Sequence, residues 1–460
     1  MSLEKSFRMV LVMTSLWAGC GEEQNQSCTL ADPTHGCGND QICEEVGGKP
    51  ACAAPLVVEG RVSDLAGAAI PGAIVTAVDA NDAPTSGTAT SGPDGRYQLR
   101  VPAPRAEGGA PLSRQIKLRA AGAGFDAFPS GLQRALPLEL SGAVAREGKL
   151  VLAGGATDLM LAPGQAGLGA IAGRVLGDPG KRGVVVVAEG PVVVNGISDA
   201  DGAFVLFNVP AGAYTVRGYA AGVQLAPAMV TVTAGARATG IDLAPRPAQL
   251  GSVSGSVSIV NAPGGSMTSV VLVVAATFNQ ALARGQVPPG LRAPRAGAPS
   301  VSGPFNISDV PDGNYVVLAA FENDGLVRDP DTAIGGTQLQ RVTVEGGAQV
   351  TLSAGFKITE GLTVMQPGAG ETPDVVMGPP TFVWKDDSSE DRYSLEVIDS
   401  HGASMWRDDQ IPRATGGDVS VTYGGPPLAR GLYQFRVVSF RRGDVPISAT
   451  EDLRGVFVVP

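Results

Sequence analysis

The feature that most constrains this chain is a β-unit whose turns recur at constant spacing. Its cleanest copy spans residues 169–245. An opening Gly173-Arg174-Val175 is followed by an apolar run at 184–187, then a turn at Asp201-Gly202. Phe204 and Leu206 follow on one face, Pro210-Ala211-Gly212 makes a second turn, and Tyr214 and Val216 resume the alternation. Period-two alternation between Gly, Asp and Pro breaks predicts short antiparallel strands.

The same punctuation returns elsewhere. Gly60-Arg61-Val62, Gly173-Arg174-Val175 and Gly255-Ser256-Val257 open three copies. Asp94-Gly95-Arg96-Tyr97, Asp201-Gly202-Ala203-Phe204 and Ser302-Gly303-Pro304-Phe305 mark the next hairpin in each. From Gly202 to Pro210 and from Gly303 to Pro311 the interval is eight residues both times, and each turn leads to a tyrosine, Tyr214 or Tyr315. A constant interval between variable loops is the signature of a repeated domain. Asp-Gly supplies the positive φ of a tight turn, and the aromatic after it begins a strand.

These motifs resemble the carboxypeptidase regulatory-like family, a transthyretin-like β-sandwich related in fold to adhesin B-type repeats. The first copy carries Pro71-Gly72-Ala73-Ile74-Val75 and the Asp94-Gly95 hairpin but lacks the Gly-x-Tyr turn, and 103–112 reads as an inserted loop. The third carries an Ala/Pro/Arg/Gly-rich insertion at 281–300, expected as a flexible surface loop. After Gly361 the pattern changes: Phe382 and Trp384, Tyr393, Leu395 and Val397, then Tyr433, Phe435 and Val437 alternate on strands. That spacing resembles a fibronectin type III-like or Ig-like sandwich. The resemblances imply an all-β chain of tandem Ig-like/transthyretin-like β-sandwiches after a signal peptide and a small disulfide-rich segment. The expected boundaries are 1–19 signal, 20–54 collar, 55–163, 168–246 and 250–359 regulatory-like sandwiches, and 360–460 the last sandwich, with linkers near 162–168, 244–249 and 367–373.

The N-terminus reads as an address. Lys5 and Arg8 precede an apolar run from Met9 to Trp17, too short to span a bilayer. Leu16-Trp17-Ala18-Gly19-Cys20 resembles the lipobox of bacterial lipoproteins, with Trp17 departing from the preferred Leu. The resemblance implies cleavage before Cys20 and its lipidation; ordinary cleavage nearby is the alternative. Cys28, Cys37, Cys43 and Cys52 follow within a Gly/Asn/Asp-rich stretch, an even count in an exported chain, so two bridges are expected in one of three connectivities. No Cys-x-x-Cys spacing suggests zinc, and His35 beside Cys37 reads as a loop residue.

Composition excludes other classes. A formal charge of −10 argues against nucleic acid as a partner. Gly 63 and Pro 35 are high, yet 44% hydrophobic residues supply several cores. His35 and His401 are the two histidines, with no His-x-x-Glu or His-Glu-x-x-His spacing, so a metallopeptidase reading fails and no cofactor is expected. Lys117 and Lys181 are the lysines available in the first two copies for an adhesin-type lysine–carboxylate cross-link, and neither sits in a first strand. Asp199-Ala200-Asp201-Gly202 lacks the distal acids of a calcium loop and reads as a turn. Arg442-Gly443-Asp444 is a tripeptide that recurs by chance. Trp384 is expected in the core; Trp406 is the candidate ligand contact.

The expectation is therefore a non-catalytic, surface-exposed bacterial lipoprotein. It would be held in the membrane through Cys20 at the outer membrane or cell surface, with a periplasmic or secreted location as the alternative. It would display its modules for adhesion or envelope organisation, with an envelope protein or surface polysaccharide as partner. The alternative is a carbohydrate-binding, polymer-capturing lipoprotein that assists separate degradative enzymes.

Overall fold

The computed structural model describes residues 28–30, 37–38, 41–129, 131–177, 183–260, 262, 267–320, 325–331, 339–387, 389–414 and 416–460. Residues 1–19, Cys20, His35 and Lys181 lie outside them. The described residues are all-β, with short 3-10 turns and no α-helix. Alternation on the strands is plain: in Gln115–Gly122 every second residue is buried, as in Arg96–Arg100.

The sheets form four facing pairs behind a small hairpin, Ile42–Val46 with Lys49–Ala53. In each of the first three pairs the opening strand is central. Leu56–Asp64, Gly169–Val175 and Gly251–Ile259 each pair antiparallel with the strand that follows the Asp/Ser-Gly hairpin. Each also pairs parallel with a closing strand: Leu159–Leu161, Arg237–Leu243 and Phe356–Glu360. The registers agree residue for residue, with Gly60 opposite Tyr97, Gly173 opposite Phe204 and Gly255 opposite Phe305. The repeated glycine is therefore the floor on which the repeated aromatic lies, a cross-strand pairing that compensates the missing side chain.

A second shared device closes the other sheet. Tyr214 donates its hydroxyl hydrogen to the Pro210 carbonyl, Tyr315 to Pro311 and Tyr433 to Ala429, each four residues upstream. This tyrosine corner ties the strand start to the preceding turn. The last sandwich pairs Val364–Gln366, Thr381–Lys385 and Asp418–Thr422 against a six-stranded sheet built on Gly431–Arg441. Phe382 and Trp384 are fully buried there, and Phe382 meets Phe435 at 4.8 Å between ring centroids. Pro367 and Gly368 are buried between strands of this same sandwich, so 367–373 is an internal crossover and not the expected linker.

The insertion at 281–300 departs most from expectation. In place of a flexible surface loop, Leu282, Val287, Leu291, Arg292 and Ala293 are buried and Arg292–Ala293 adds a strand to Val270–Val274. The reason is two-sided burial. Val270, Leu272 and Val274 face the sandwich core, whereas Val271 and Val273 face outward and pack with Val287 of the insertion. Only its end, from Arg295 on, is mostly exposed.

That insertion touches all three other sandwiches. Arg119 of the first donates to Gln286, and Asp82 approaches Arg292 at 3.8 Å. The Ala221 N–H of the second donates to the Pro289 carbonyl. Arg436 of the fourth donates to the Ala281 and Leu282 carbonyls, and Leu282 packs with Leu132, Ile398, Leu432, Val456 and Val458. Burial raises the Asp82 carboxyl, but Lys117, Arg119 and Arg292 together hold it below the usual carboxylate range. Val185, Val187 and Tyr219 on the outer face of the second sandwich join the core of the third. The sandwiches therefore pack side by side instead of forming a string of spaced modules. Leu282→Asp places a charge in the meeting point of the first, third and fourth sandwiches. It is expected to leave each sandwich's own core intact and to enlarge the radius of gyration measured by small-angle scattering. An unchanged radius would show that the contact is dispensable.

Candidate functional site

The collar is built by two bridges, Cys28–Cys43 and Cys37–Cys52. Cys43 and Cys52 are opposite each other in the hairpin register, so both bridges tie the preceding segment onto one rung. The Cys28, Cys37 and Cys52 sulfurs cluster as metal ligands would, but all are disulfide-bonded and offer no thiolate. The collar docks on the loop 103–112 that replaces the missing Gly-x-Tyr turn. Glu44 and Arg105 form an ion pair with side chains 2% exposed on both sides. Arg105 also donates to the Ala54 and Gly109 carbonyls, and backbone bonds join Arg105 to Glu45 and Gly47. Burial holds the Glu44 carboxyl above the usual range, and the Arg105 and Ala103 N–H donors offset this only in part.

The residues singled out in the sequence fall into place individually, not as one site. Asp199 accepts from the Asp201 and Ala203 N–H groups, the turn chemistry expected of it. The same Asp-x-x-Gly-Ala turn occurs at Asp64 and Asp399, a pattern the repeat reading passed over. Arg442-Gly443-Asp444 is an exposed hairpin tip, with the Asp444 carboxylate held by Arg392 at 2.7 Å. His401 lies 3.9 Å from Asp126, at a contact between the fourth and first sandwiches. Lys117 pairs with Asp82 at 3.0 Å. Among the described residues the buried lysine is a different one: Lys357, with Nζ 3.0 Å from Asp329 and 3.4 Å from Asp331. Its signal was a lysine inside the otherwise apolar start of Phe356–Glu360.

Trp406 is half-buried. Its ring meets Tyr423 at 5.3 Å and Phe382 at 6.4 Å, and Gly424 and Gly425 pass close over it. It closes the aromatic core of the last sandwich and does not stand out as a platform.

A surface with binding chemistry lies on the third sandwich. Alternation in Gly251–Ile259 sends Val253 and Val257 inward and leaves Ser252 and Ser254 outward. Asn306 and Ser308 flank them on Pro304–Val310, and Gln349 and Thr351 on the other side. Together they line a cleft of about 420 Å³. Ser254 and Thr351 hydroxyls are 3.1 Å apart. The rim carboxylate, Asp309, is held by Arg295 at 2.8 Å, whose hydrogen bond keeps it below the usual range. The floor is thus an uncharged ladder of hydroxyls and amides, donors and acceptors both. The matching strands of the first sandwich carry Glu59, Arg61, Gln98 and Arg100, a charged surface.

No family model and no curated protein matches the sequence. Among solved structures, a minor pilin of Streptococcus agalactiae aligns at 13% identity, over 43% of this chain and 98% of that one, with a TM-score of 0.18. The shaft pilin of Lactobacillus rhamnosus GG aligns at 10% identity over 42% and 98%, also at 0.18. A chlorocatechol 1,2-dioxygenase from Pseudomonas putida aligns at 12% identity and a TM-score of 0.17, over 24% of this chain and 60% of its own. Scores this low carry no argument about function.

Proposed function

We propose that this chain is an exported, non-catalytic envelope protein that holds its β-sandwiches as one body for adhesion or envelope organisation, anchored through lipid at Cys20. The observation that carries the reading is the doubly bridged collar just beyond Cys20, because disulfides persist in oxidising compartments outside the cytosol. The membrane is one partner; the other is a surface polymer or envelope protein. The test is intact mass and fractionation of wild type beside Cys20→Ala. A mature chain starting at Cys20 with acyl mass, and release of the variant into the soluble fraction, is the expected result. Cleavage elsewhere with a soluble wild type would remove the anchor and favour a periplasmic or secreted protein.

The second reading, capture of a polysaccharide for separate degradative enzymes, draws on the uncharged hydroxyl and amide ladder of the third sandwich, which suits a neutral polyhydroxyl chain. A glycan array with wild type, Ser254→Arg and Trp406→Ala separates the candidates. Loss only in Ser254→Arg assigns the cleft, loss only in Trp406→Ala assigns the tryptophan, and no binding by wild type removes the reading.

A further inference from the structure

The two bridges of the collar lie against each other. The Cys28, Cys37 and Cys52 sulfurs are all within 4.8 Å of one another, although Cys28 belongs to one bridge and Cys37 and Cys52 form the other. Cys43, the partner of Cys28, lies outside that group. The bridges also differ in access. Cys28 and Cys43 are 7% and 2% exposed, whereas Cys37 and Cys52 are half-buried.

Thiol–disulfide exchange needs a thiolate that reaches one sulfur of a disulfide while the other sulfur is free to leave. A thiol arriving from solvent meets Cys37–Cys52 first, because access selects the bridge that is attacked. It bonds one of these sulfurs and releases the other as a thiolate. Either thiolate then stands within 4.8 Å of Cys28, and Cys43, away from the cluster, is the sulfur placed to leave.

The hairpin register keeps the exchanged pairing close in energy to the starting one. Cys43 and Cys52 are opposite each other on one rung between Ile42–Val46 and Lys49–Ala53. Moving the Cys28 bridge from Cys43 to Cys52 therefore leaves Cys28 tied to the same rung. The closed loop lengthens by less than a factor of two, and closure entropy grows only slowly with length.

We propose that Cys37–Cys52 is an exchange site for low-molecular-weight thiols and that Cys28–Cys43 is its relay. A thiolate attacks Cys37, forms a mixed disulfide there and frees the Cys52 thiolate. Cys52 then attacks Cys28: the Cys28–Cys52 bond forms, the Cys28–Cys43 bond breaks, and Cys43 departs with the electron pair and takes a proton from water. Entry at Cys52 frees Cys37 instead, and the same attack gives Cys28–Cys37. Disulfide bonds broken and formed are equal in number, so no oxidant or reductant is consumed. Cys28 is bridged before and after, so a single thiol does not release it from the hairpin.

The test uses the full chain carrying Cys20→Ala, which leaves only these four cysteines. Adding Cys37→Ser supplies a Cys52 thiol without any added reagent. The folded chain is alkylated with N-ethylmaleimide and digested, and the label is mapped by mass spectrometry. Label is expected on both Cys52 and Cys43, with at least about a tenth on Cys43, because the two pairings differ by little more than loop closure. Peptides joined through Cys28–Cys52 should accompany it. Adding Cys52→Ser instead should divide the label between Cys37 and Cys43. Label confined to Cys52 in the first variant and to Cys37 in the second overturns the relay. If these variants fail to fold, the chain with all four cysteines decides after brief treatment with 2-mercaptoethanol and an acid quench. A thiol at Cys43 with the adduct on Cys37 or Cys52 supports the proposal. No adduct, adducts with Cys28–Cys43 always intact, or thiols at Cys28 and Cys43 together overturn it.

Discussion

Replacing Arg105 with alanine is expected to release the disulfide collar from the first sandwich. The substitution leaves Glu44 buried without its cation and removes the donors that held the Ala54 and Gly109 carbonyls. Breaking one side of a buried pair destabilises by about 3–5 kcal/mol, mostly through the stranded charge. A chain of several packed units has no single unfolding free energy, so the readout must be local. Hydrogen exchange at the N–H groups of Gly47 and of position 105, which donate the backbone bonds between collar and loop, should accelerate at least about a hundredfold, a factor of ten per 1.4 kcal/mol. Exchange in the last sandwich should not change. Glu44→Leu combined with Arg105→Met should recover most of the protection, because a matched apolar pair leaves no charge behind. Protection unaltered in Arg105→Ala would mean that the bridges and backbone bonds alone seat the collar.

Gly173→Ala is expected to be about as damaging, and Gly255→Ala much less so. A β-carbon at Gly173 falls inside the van der Waals shell of the Ile241 carbonyl oxygen and 2.7 Å from the Phe204 ring. Gly60 meets the same obstruction from the Thr157 carbonyl, with the Tyr97 hydroxyl at 2.8 Å. At Gly255 the nearest atoms are side chains that can turn aside, Phe305 at 2.9 Å and Leu352 at 3.0 Å. Overpacking against yielding side chains costs about 1–3 kcal/mol, and the upper end or beyond applies where a backbone carbonyl must move. Hydrogen exchange in the sandwich that holds each substitution should rise far more in Gly60→Ala and Gly173→Ala than in Gly255→Ala. Equal rises in all three would show that the aromatic contact, and not the closing strand, demands the glycine.

The local pattern was largely legible. Asp-Gly and Pro-x-Gly turns, the aromatic that follows each, and Trp384 in phase with Phe382 are decided by neighbours in sequence, and the strands form where alternation placed them. What the reading passed over was in plain letters too. Unbroken apolar runs at 184–187 and 270–274 signal burial on both faces, and their outer residues carry the packing between units.

By itself, then, the sequence determined an all-β chain of repeated sandwiches with a cysteine pair-set near its start, because turn chemistry and period-two alternation act over a few residues. Only the tertiary structure decided the rest: that 281–300 joins the sandwiches, that Cys28 pairs with Cys43 and Cys37 with Cys52, and that Arg105 receives Glu44. Such pairings depend on which surfaces meet after the strands have formed. Composition cannot rank them, because a Gly/Pro-rich stretch with a few apolar side chains stays loose in water and folds against whatever apolar face the neighbouring sheet leaves uncovered.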